Sequence, residues 1–393
     1  MFSQLVHYTI TFAIIFTTLY SYGHFSSKIF EKKTDIFLKI LFGYTLVGTI
    51  TLISHFFYKI SDEFSLLIIF FALVIFYFKK KLLLKKEFFI FFLLLIFLGP
   101  LFFGFSDHPI DTNMYHHPYV SYLKSEKIIF GIANIEFRFG HISFLQYVQA
   151  ALTNKYLHNS SLASINIIFY IAFILSMYQK IISEKKFSLI FLTHILISCF
   201  ILIKFARYRE FGNDLIPLLV GLYFFIWILE EISKKKIKSQ ILYNLSLPFM
   251  AFMFMHKISF TFVALIFLIF INHKTFRFWK YYNKFYFIFF LIIFISWLLK
   301  NYTNTSCLVY PVEFTCISNQ IFHLSGIANP SNASFLSEIW AKGFIDHPNW
   351  GNLNLEIFVQ DFNWVHNWIN NHFIKILEII SPLIILIILS SIG

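Results

Sequence analysis

The sequence predicts an all-α integral membrane protein of about eleven transmembrane helices, with two long extracytoplasmic loops that contain short helices. Three observations carry that expectation. Of 393 residues, 58% are hydrophobic and only 13% charged, with a mean hydropathy of +0.71, which argues against a soluble domain and against disorder. Apolar runs approaching the ~20 residues that a helix needs to cross a bilayer recur along the chain. The basic residues also gather in alternate connections, as they do in short cytoplasmic loops.

The runs fall near residues 5–22, 36–57, 64–78, 88–103, 160–178, 187–203, 213–230, 241–255, 258–272, 285–299 and 373–391. The first lacks a basic leader and a small-residue cleavage site, so it reads as a helix and not as a signal peptide. Lys28, Lys32, Lys33 and Lys39 lie in or beside the first connection, and Lys79, Lys80, Lys81, Lys85 and Lys86 in the third. Lys180, Lys185 and Lys186 follow, then Lys234, Lys235, Lys236 and Lys238, then Lys274, Arg277, Lys280 and Lys284. With eleven spans all of these share one face. The positive-inside rule makes that face cytoplasmic, with the N-terminus out and the C-terminus in. The expected location is a bacterial inner (cytoplasmic) membrane, with membrane lipid as a partner. The net charge of +12 is absorbed by these loops. No nucleic-acid partner is expected, because no basic, aromatic-studded soluble domain is visible. Residues 1–393 read as one polytopic domain, with outward loops at 104–159 and 300–372.

The first outward loop opens with DHPIDTNMYHHPYVSY, which holds two carboxylates, three histidines and three tyrosines. Tyr115, Tyr119, Tyr122 and Leu123 share the spacing of one helix face. Pro118 either starts that helix or kinks it. Tyrosines suit the lipid headgroup layer, so the expectation is a helix lying along the membrane surface. Asp111 is either an N-cap or a general base that deprotonates an acceptor hydroxyl or amine. Asp107 is the second candidate base. His108, His116, His117 and His141 raise the question of a metal, since Asp and His can ligate a divalent cation. Their spacing matches no strong motif, so no metal ligand is assigned and no cofactor is fixed by the sequence, while a divalent metal stays chemically open. Further on, Asn134 precedes Arg138 by four residues, and Arg138 is either a phosphate-binding fork or a surface ion pair with Glu136 or Glu126.

Three other stretches stand out. ARYREFGND puts Arg207 and Arg209 at a helix boundary, as interfacial anchors or a phosphate cradle. Lys257 sits in a tight turn after His256 and could reach the same headgroup. Lys300 leads into NYTNTSCLVYPVEFTC, where Cys307 and Cys316 are suited to a disulfide in an oxidising compartment. Cys199, inside an apolar run, reads as core. The remainder of the second loop carries Trp340, Trp350, Trp364 and Trp368, fit for a sugar face or for lipid anchoring.

An outward Asp after an early span, a Tyr four residues on and then a surface helix resembles the first extracytoplasmic loop of the GT-C glycosyltransferases. Asp111, Tyr115 and the helix from about Pro118 carry that resemblance. Three spans precede the position where the superfamily has its first, and Thr112 follows Asp111 where many members have a second acidic residue. The pattern D-x3-YHHPY…GIANIEFRFGHIS, with WLLKN and CLVYP later, is similar to a group of uncharacterised bacterial polytopic membrane proteins over most of the chain. The GT-C resemblance implies transfer of a sugar from a polyprenyl-phosphate-linked donor to an extracytoplasmic acceptor. It implies Asp111 as base, Arg138, Arg207, Arg209, Lys257 or Lys300 at the donor phosphate, and Tyr115, His116 and Asn134 in the substrate loop. The alternatives are a lipid-linked glycan polymerase or ligase, which would rest more on loop arginines, and a flippase, which would carry charges in mid-helix. A nucleotide-sugar donor is disfavoured, since no phosphate-binding glycine-rich loop appears.

Overall fold

The computed structural model describes residues 2–27, 34–83, 86–103, 112–158, 161–184, 188–204, 212–233, 239–263, 284–317, 322–344 and 350–392. The described residues are helical with turns and loops between; the only strand-like pairing among them is an isolated bridge between Cys307 and Cys316. The chain divides into two compact units: Met1–Ile129, Ile142–Lys186 and Ile197–Trp297 form the first, and Phe130–His141, Phe187–Leu196 and Leu298–Gly393 the second.

The first unit is built on an antiparallel pair, α1 (Phe2–Ser27) and α2 (Ile36–Ser54). Asp35 starts α2 as its N-cap, its Oδ1 accepting the Leu38 N–H at 3.0 Å, which satisfies one of the donors that every helix start leaves open. The pair is close because glycine lines its seam. A Cβ on Gly23 would lie 1.7 Å from the Lys39 carbonyl oxygen, and one on Gly43 would lie 1.8 Å from that of Leu19. Small residues are how membrane helices bring backbones together without a hydrophobic drive between them. Around the pair stand α3 (Asp62–Leu83), α4 (Lys86–Phe103), α5 (His117–Ser125), α6 (Phe144–Leu152) and α7 (Ser161–Ser183). After α8 (Leu189–Ile203) come α9 (Leu215–Ser233), α10 (Ser239–His256) and α11 (Lys284–Thr305). Aromatic rings fill the seams: Phe16 stacks on Phe91 at 4.2 Å, and Tyr44 meets Phe144, Phe169 and Phe252 edge-on.

Among the described residues, four helical segments are long and apolar enough to cross a membrane: Ser3–Ser27, Ile36–Ser54, Ser161–Ser183 and Phe287–Thr305. That is fewer than the eleven expected. Two further apolar segments, Leu189–Ile203 and Ser246–His256, are shorter; fifteen helical residues rise only about 22 Å, less than the ~30 Å of hydrocarbon. α3 carries Asp62 and Glu63 in its first turn and Lys79 near its end. The run expected at 258–272 is described only to residue 263, where it forms a short 3-10 stretch, and the rest lies outside the described residues. Cys199, expected in the core, is exposed on α8. Apolar surroundings in sequence do not separate a protein-facing position from a lipid-facing one.

The second unit has a small core of Ala133, Cys307, Tyr310, Leu324, Ala328 and Ala333. It includes the last turns of α11, α12 (Pro330–Ala341), α13 (Leu355–Val359) and α14 (Val365–Ile392).

Candidate functional site

In the first unit the stretches 112–129 and 142–158 are held across one end of the helices. Thr112–His116 forms a single π-helical turn that runs straight into α5, where Pro118 occupies the helix start. Proline suits that position because its missing N–H has no partner to lose there. The helix is pinned on several sides. Its Leu123 carbonyl accepts the Ile60 N–H at 2.8 Å. Lys124 Nζ donates to Asp62 Oδ1 at 2.8 Å and to the Thr153 carbonyl at 2.5 Å. The Glu126 carbonyl accepts from His55 Nε2 at 3.2 Å, and the Tyr122 hydroxyl accepts the Ile129 N–H at 2.9 Å.

The aromatic face expected to lie among lipid headgroups is instead buried in protein. Tyr119, Tyr122 and Leu123 are buried, and Tyr115 is half-buried. The Tyr119 and Tyr147 hydroxyls share a hydrogen bond at 3.1 Å. Burial pushes the Tyr122 phenol up to about 12 and the Tyr147 phenol well above its ordinary value. Both are neutral hydrogen-bonders and not bases. The Lys124 hydrogen bond holds the Asp62 carboxyl below the usual carboxylate range. The receiving surface is α6, buried along all nine residues, whose start is closed by the Ser143 N–H donating to Gln146 Oε1 at 2.9 Å.

His116 is buried, its ring 4.1 Å from that of Tyr115, with Nδ1 3.5 Å from Asn213 Nδ2. The next residue after Asn213, Asp214, accepts from Lys257 Nζ at 2.8 Å in a half-exposed ion pair. Beside Lys257, His256 donates from Nδ1 to the Phe252 carbonyl at 2.8 Å, which leaves Nε2 to accept the Tyr44 hydroxyl at 2.7 Å. Tyr115, His116 and Lys257 thus belong to one unit, at the end that carries α5. Asp107, Asp111, Arg207 and Arg209 lie outside the described residues.

Asn134, Arg138 and Lys300 fall in the second unit. The turn 131–140 packs on the last turns of α11: the Gly131 N–H donates to the Thr303 carbonyl at 2.9 Å, and Asn304 Nδ2 to that of Phe139 at 3.4 Å. Asn134 bridges this turn to another loop, donating to the His323 carbonyl at 2.8 Å and accepting the Ser325 N–H at 3.0 Å. Arg138 is half-buried with its guanidinium 5.2 Å from the Phe137 ring centre. Glu136 accepts the Arg138 backbone N–H at 3.2 Å. Lys300 is fully buried. Cys307 and Cys316 form a disulfide. Among the described residues, no three His, Cys, Asp or Glu side chains converge as a metal site requires.

Sequence reasoning passed over a second polar centre, at the opposite end of the first unit. Asp35 Oδ2 accepts hydrogen bonds from the Ser176 hydroxyl and, at 2.8 Å, from the Tyr223 hydroxyl. Close by, Lys180 pairs with Glu230 at 2.6 Å and stands over the Tyr223 ring. Lys39 is buried against the Tyr20 hydroxyl at 3.2 Å and Glu87 at 3.4 Å. The signal was present: an Asp directly before an apolar run is an N-cap pattern.

The chain belongs to the family described as Domain of unknown function (DUF8201), whose family model matches residues 6–392. No curated protein matches the chain, and no solved structure does.

Proposed function

We propose that this chain is a polytopic membrane glycosyltransferase of GT-C type, which moves a sugar from a polyprenyl-phosphate-linked donor to an acceptor on the extracytoplasmic side. One observation carries the reading. The chain directly after Asp111 enters a turn and then a short helix that is clamped to the end of the membrane helices, with buried His116 beside Asn213 and the Asp214–Lys257 pair in the following stretch. A carboxylate preceding so firmly held an element is suited to base catalysis, which needs a fixed approach to the proton it removes.

In this reading Asp111 takes the proton of an acceptor hydroxyl as its oxygen attacks the anomeric carbon. The new carbon–oxygen bond forms as the bond to the carrier phosphate breaks, and polyprenyl phosphate leaves. Lys257, at the same end of the first unit, and Arg207 and Arg209, close in sequence to Asn213, are the cations assigned to offset the charge on the departing phosphate. Asp107 is the reserve base. The topology is eleven spans, with the loops around Lys28–Lys33, Lys79–Lys86, Lys180–Lys186 and Lys234–Lys238 in the cytoplasm. In support of it, the described residues that flank those loops in sequence, among them Asp35, Lys180 and Glu230, lie at the end of the first unit opposite α5.

The test compares lipid-linked and surface glycans by mass spectrometry in a deletion strain carrying wild-type or Asp111→Asn protein at equal membrane levels. The expected result is that Asp111→Asn reproduces the deletion's glycan change. A deletion defect fully rescued by Asp111→Asn rejects the assigned base and favours a polymerase, ligase or flippase. A deletion that alters no glycan rejects the reading itself.

A further inference from the structure

The chain leaves α11 through Ser306, whose φ of +58° turns it sharply out of the helix, while its N–H still donates to the Tyr302 carbonyl at 2.8 Å. The next residue is Cys307. Its bond to Cys316 closes the sequence CLVYPVEFTC into a short loop, and the backbone reinforces the closure: Leu308 N–H donates to the Thr315 carbonyl at 3.1 Å, and Ile317 N–H to that of Ser306 at 2.9 Å. The tip of such a loop cannot travel far from the helix end. Tyr310 anchors its inner side, buried, with its hydroxyl donating to the Ala328 carbonyl at 2.9 Å.

The outer side is apolar and bare. Phe314 is 91% exposed, and Ile317, just past the closing cysteine, is 52% exposed. Two neighbouring loops held on the same small core do likewise: Ile135 is 72% exposed and Ile327 is 57% exposed. The turn bearing Ile135 is tied by Asn134 to the segment 323–325, two residues short of Ile327. The four side chains sit on loops of one small core, and the Asn134 bonds bring the Ile135 and Ile327 loops together; summed, their exposed area is on the order of a few hundred Å², the scale that an interaction site reaches where such surface is contiguous.

We infer that the disulfide-closed loop 307–316 is a lipid contact, which presses Phe314 into the leaflet next to the end of α11. The occupant is assigned by continuity. α11 contains a segment long and apolar enough to cross a membrane, and Ile288, Ile292, Ile295 and Leu299 are its exposed apolar stripe, at the spacing of one helix face. That stripe stops at Leu299. From Lys300 the helix turns polar and inward, with Lys300, Asn301, Thr303, Asn304 and Thr305 buried. The loop follows at once and restores apolar exposure. Its eight residues between the cysteines include one carboxylate, Glu313, and no cation. The inference stands independently of glycosyl transfer.

The test replaces Phe314 with the photoreactive analogue benzoylphenylalanine, in full-length protein reconstituted into phosphatidylcholine–phosphatidylglycerol vesicles. After irradiation the adduct is identified by peptide mass. The expected result is a phospholipid adduct at position 314 and at Ile327 replaced likewise, with at least tenfold less at Asn332, an exposed polar control in the same unit. Mass mapping of the intact Cys307–Cys316 peptide confirms that the loop is closed in the variant. A phospholipid yield at 314 no greater than at 332 overturns the inference. So does an adduct to a second copy of the chain in place of lipid.

Discussion

Replacing Gly43 by alanine sets two effects of opposite sign against each other. In an exposed helix the change contributes up to about 1 kcal/mol of stability, because alanine is the better helix former. Here the new Cβ would stand 1.8 Å from the Leu19 carbonyl oxygen and 2.9 Å from the Gly23 nitrogen. A carbon–oxygen contact needs about 3.3 Å, so α1 and α2 must separate by about 1.5 Å. A gap of even half that size forfeits a quarter to a half of the attraction of each atom pair along the seam. The opposing atoms are backbone and have no rotamer by which to yield. The cost belongs at the upper end of the overpacking range, about 3 kcal/mol. The net expectation is a destabilisation of about 2 kcal/mol. Thermal unfolding of the purified protein in detergent, followed by the loss of the monodisperse peak on size exclusion, measures it. Gly212→Ala is the control, since nothing lies within 4 Å of its added Cβ. A Gly43→Ala protein that melts at or above the wild-type temperature refutes the close seam.

Three further outcomes are expected. Cys307→Ser with Cys316→Ser removes a cross-link spanning nine residues of sequence, which loop-closure entropy values at about 3 kcal/mol; the loss is read as protease cleavage between residues 307 and 317 in folded protein. Lys124→Met loosens α5 by about 1 kcal/mol, the scale of a partly exposed ion pair. Because Asp62 has its folded pKa depressed, that stabilisation is present above its ordinary value of 3.8 and is lost as pH falls through the lower folded value, so the variant loses acid sensitivity below pH 4. His158 is held below its ordinary value of 6.5 by burial and by His7. Its folded state resists protonation, and thermal stability should fall as pH drops below 6.5, less steeply in His158→Phe.

Part of this architecture was legible in the sequence because one force dominated locally. Apolar length located the helices, Pro118 marked the start of α5, and the spacing of Cys307 and Cys316, in a segment expected to face outward, pointed to their bond. Orientation was not legible. Tyr119 and Tyr122 make the same stripe whether they face lipid or protein, and only α6 decides between the two. That helix escaped notice because FLQYVQAAL is short and holds two glutamines. Yet Ser143 and Gln146 form the S-x-x-Q signature of a capped helix start, and Gln149 is satisfied by the Leu162 carbonyl at 2.9 Å. The number of spans is a related case: among the described residues, four segments are long and apolar enough to cross a membrane. Hydropathy registers charges near run ends such as Asp62, Glu63 and Lys79 only weakly, whereas the crossing length depends on them directly.

The titratable chemistry of the first unit is organised along α2 more than along the histidine-rich loop that draws the eye. At one end of α2, Asp35 binds Ser176 of α7 and Tyr223 of α9. One turn on, Lys39 meets Tyr20 of α1 and Glu87 of α4. Further along, Tyr44 reaches His256 of α10, and just past the far end His55 holds the exit of α5 through the Glu126 carbonyl. A buried polar group costs stability unless it is paired, so each of these partners fixes the distance of one helix from α2. The glycine seam fixes α1 in the same way. A rigid α2 therefore transmits its placement to α5, and α5 sets where the chain resumes after Asp111. That is why the reading of Asp111 as a positioned base rests less on its own neighbours in sequence than on the helix that supports them.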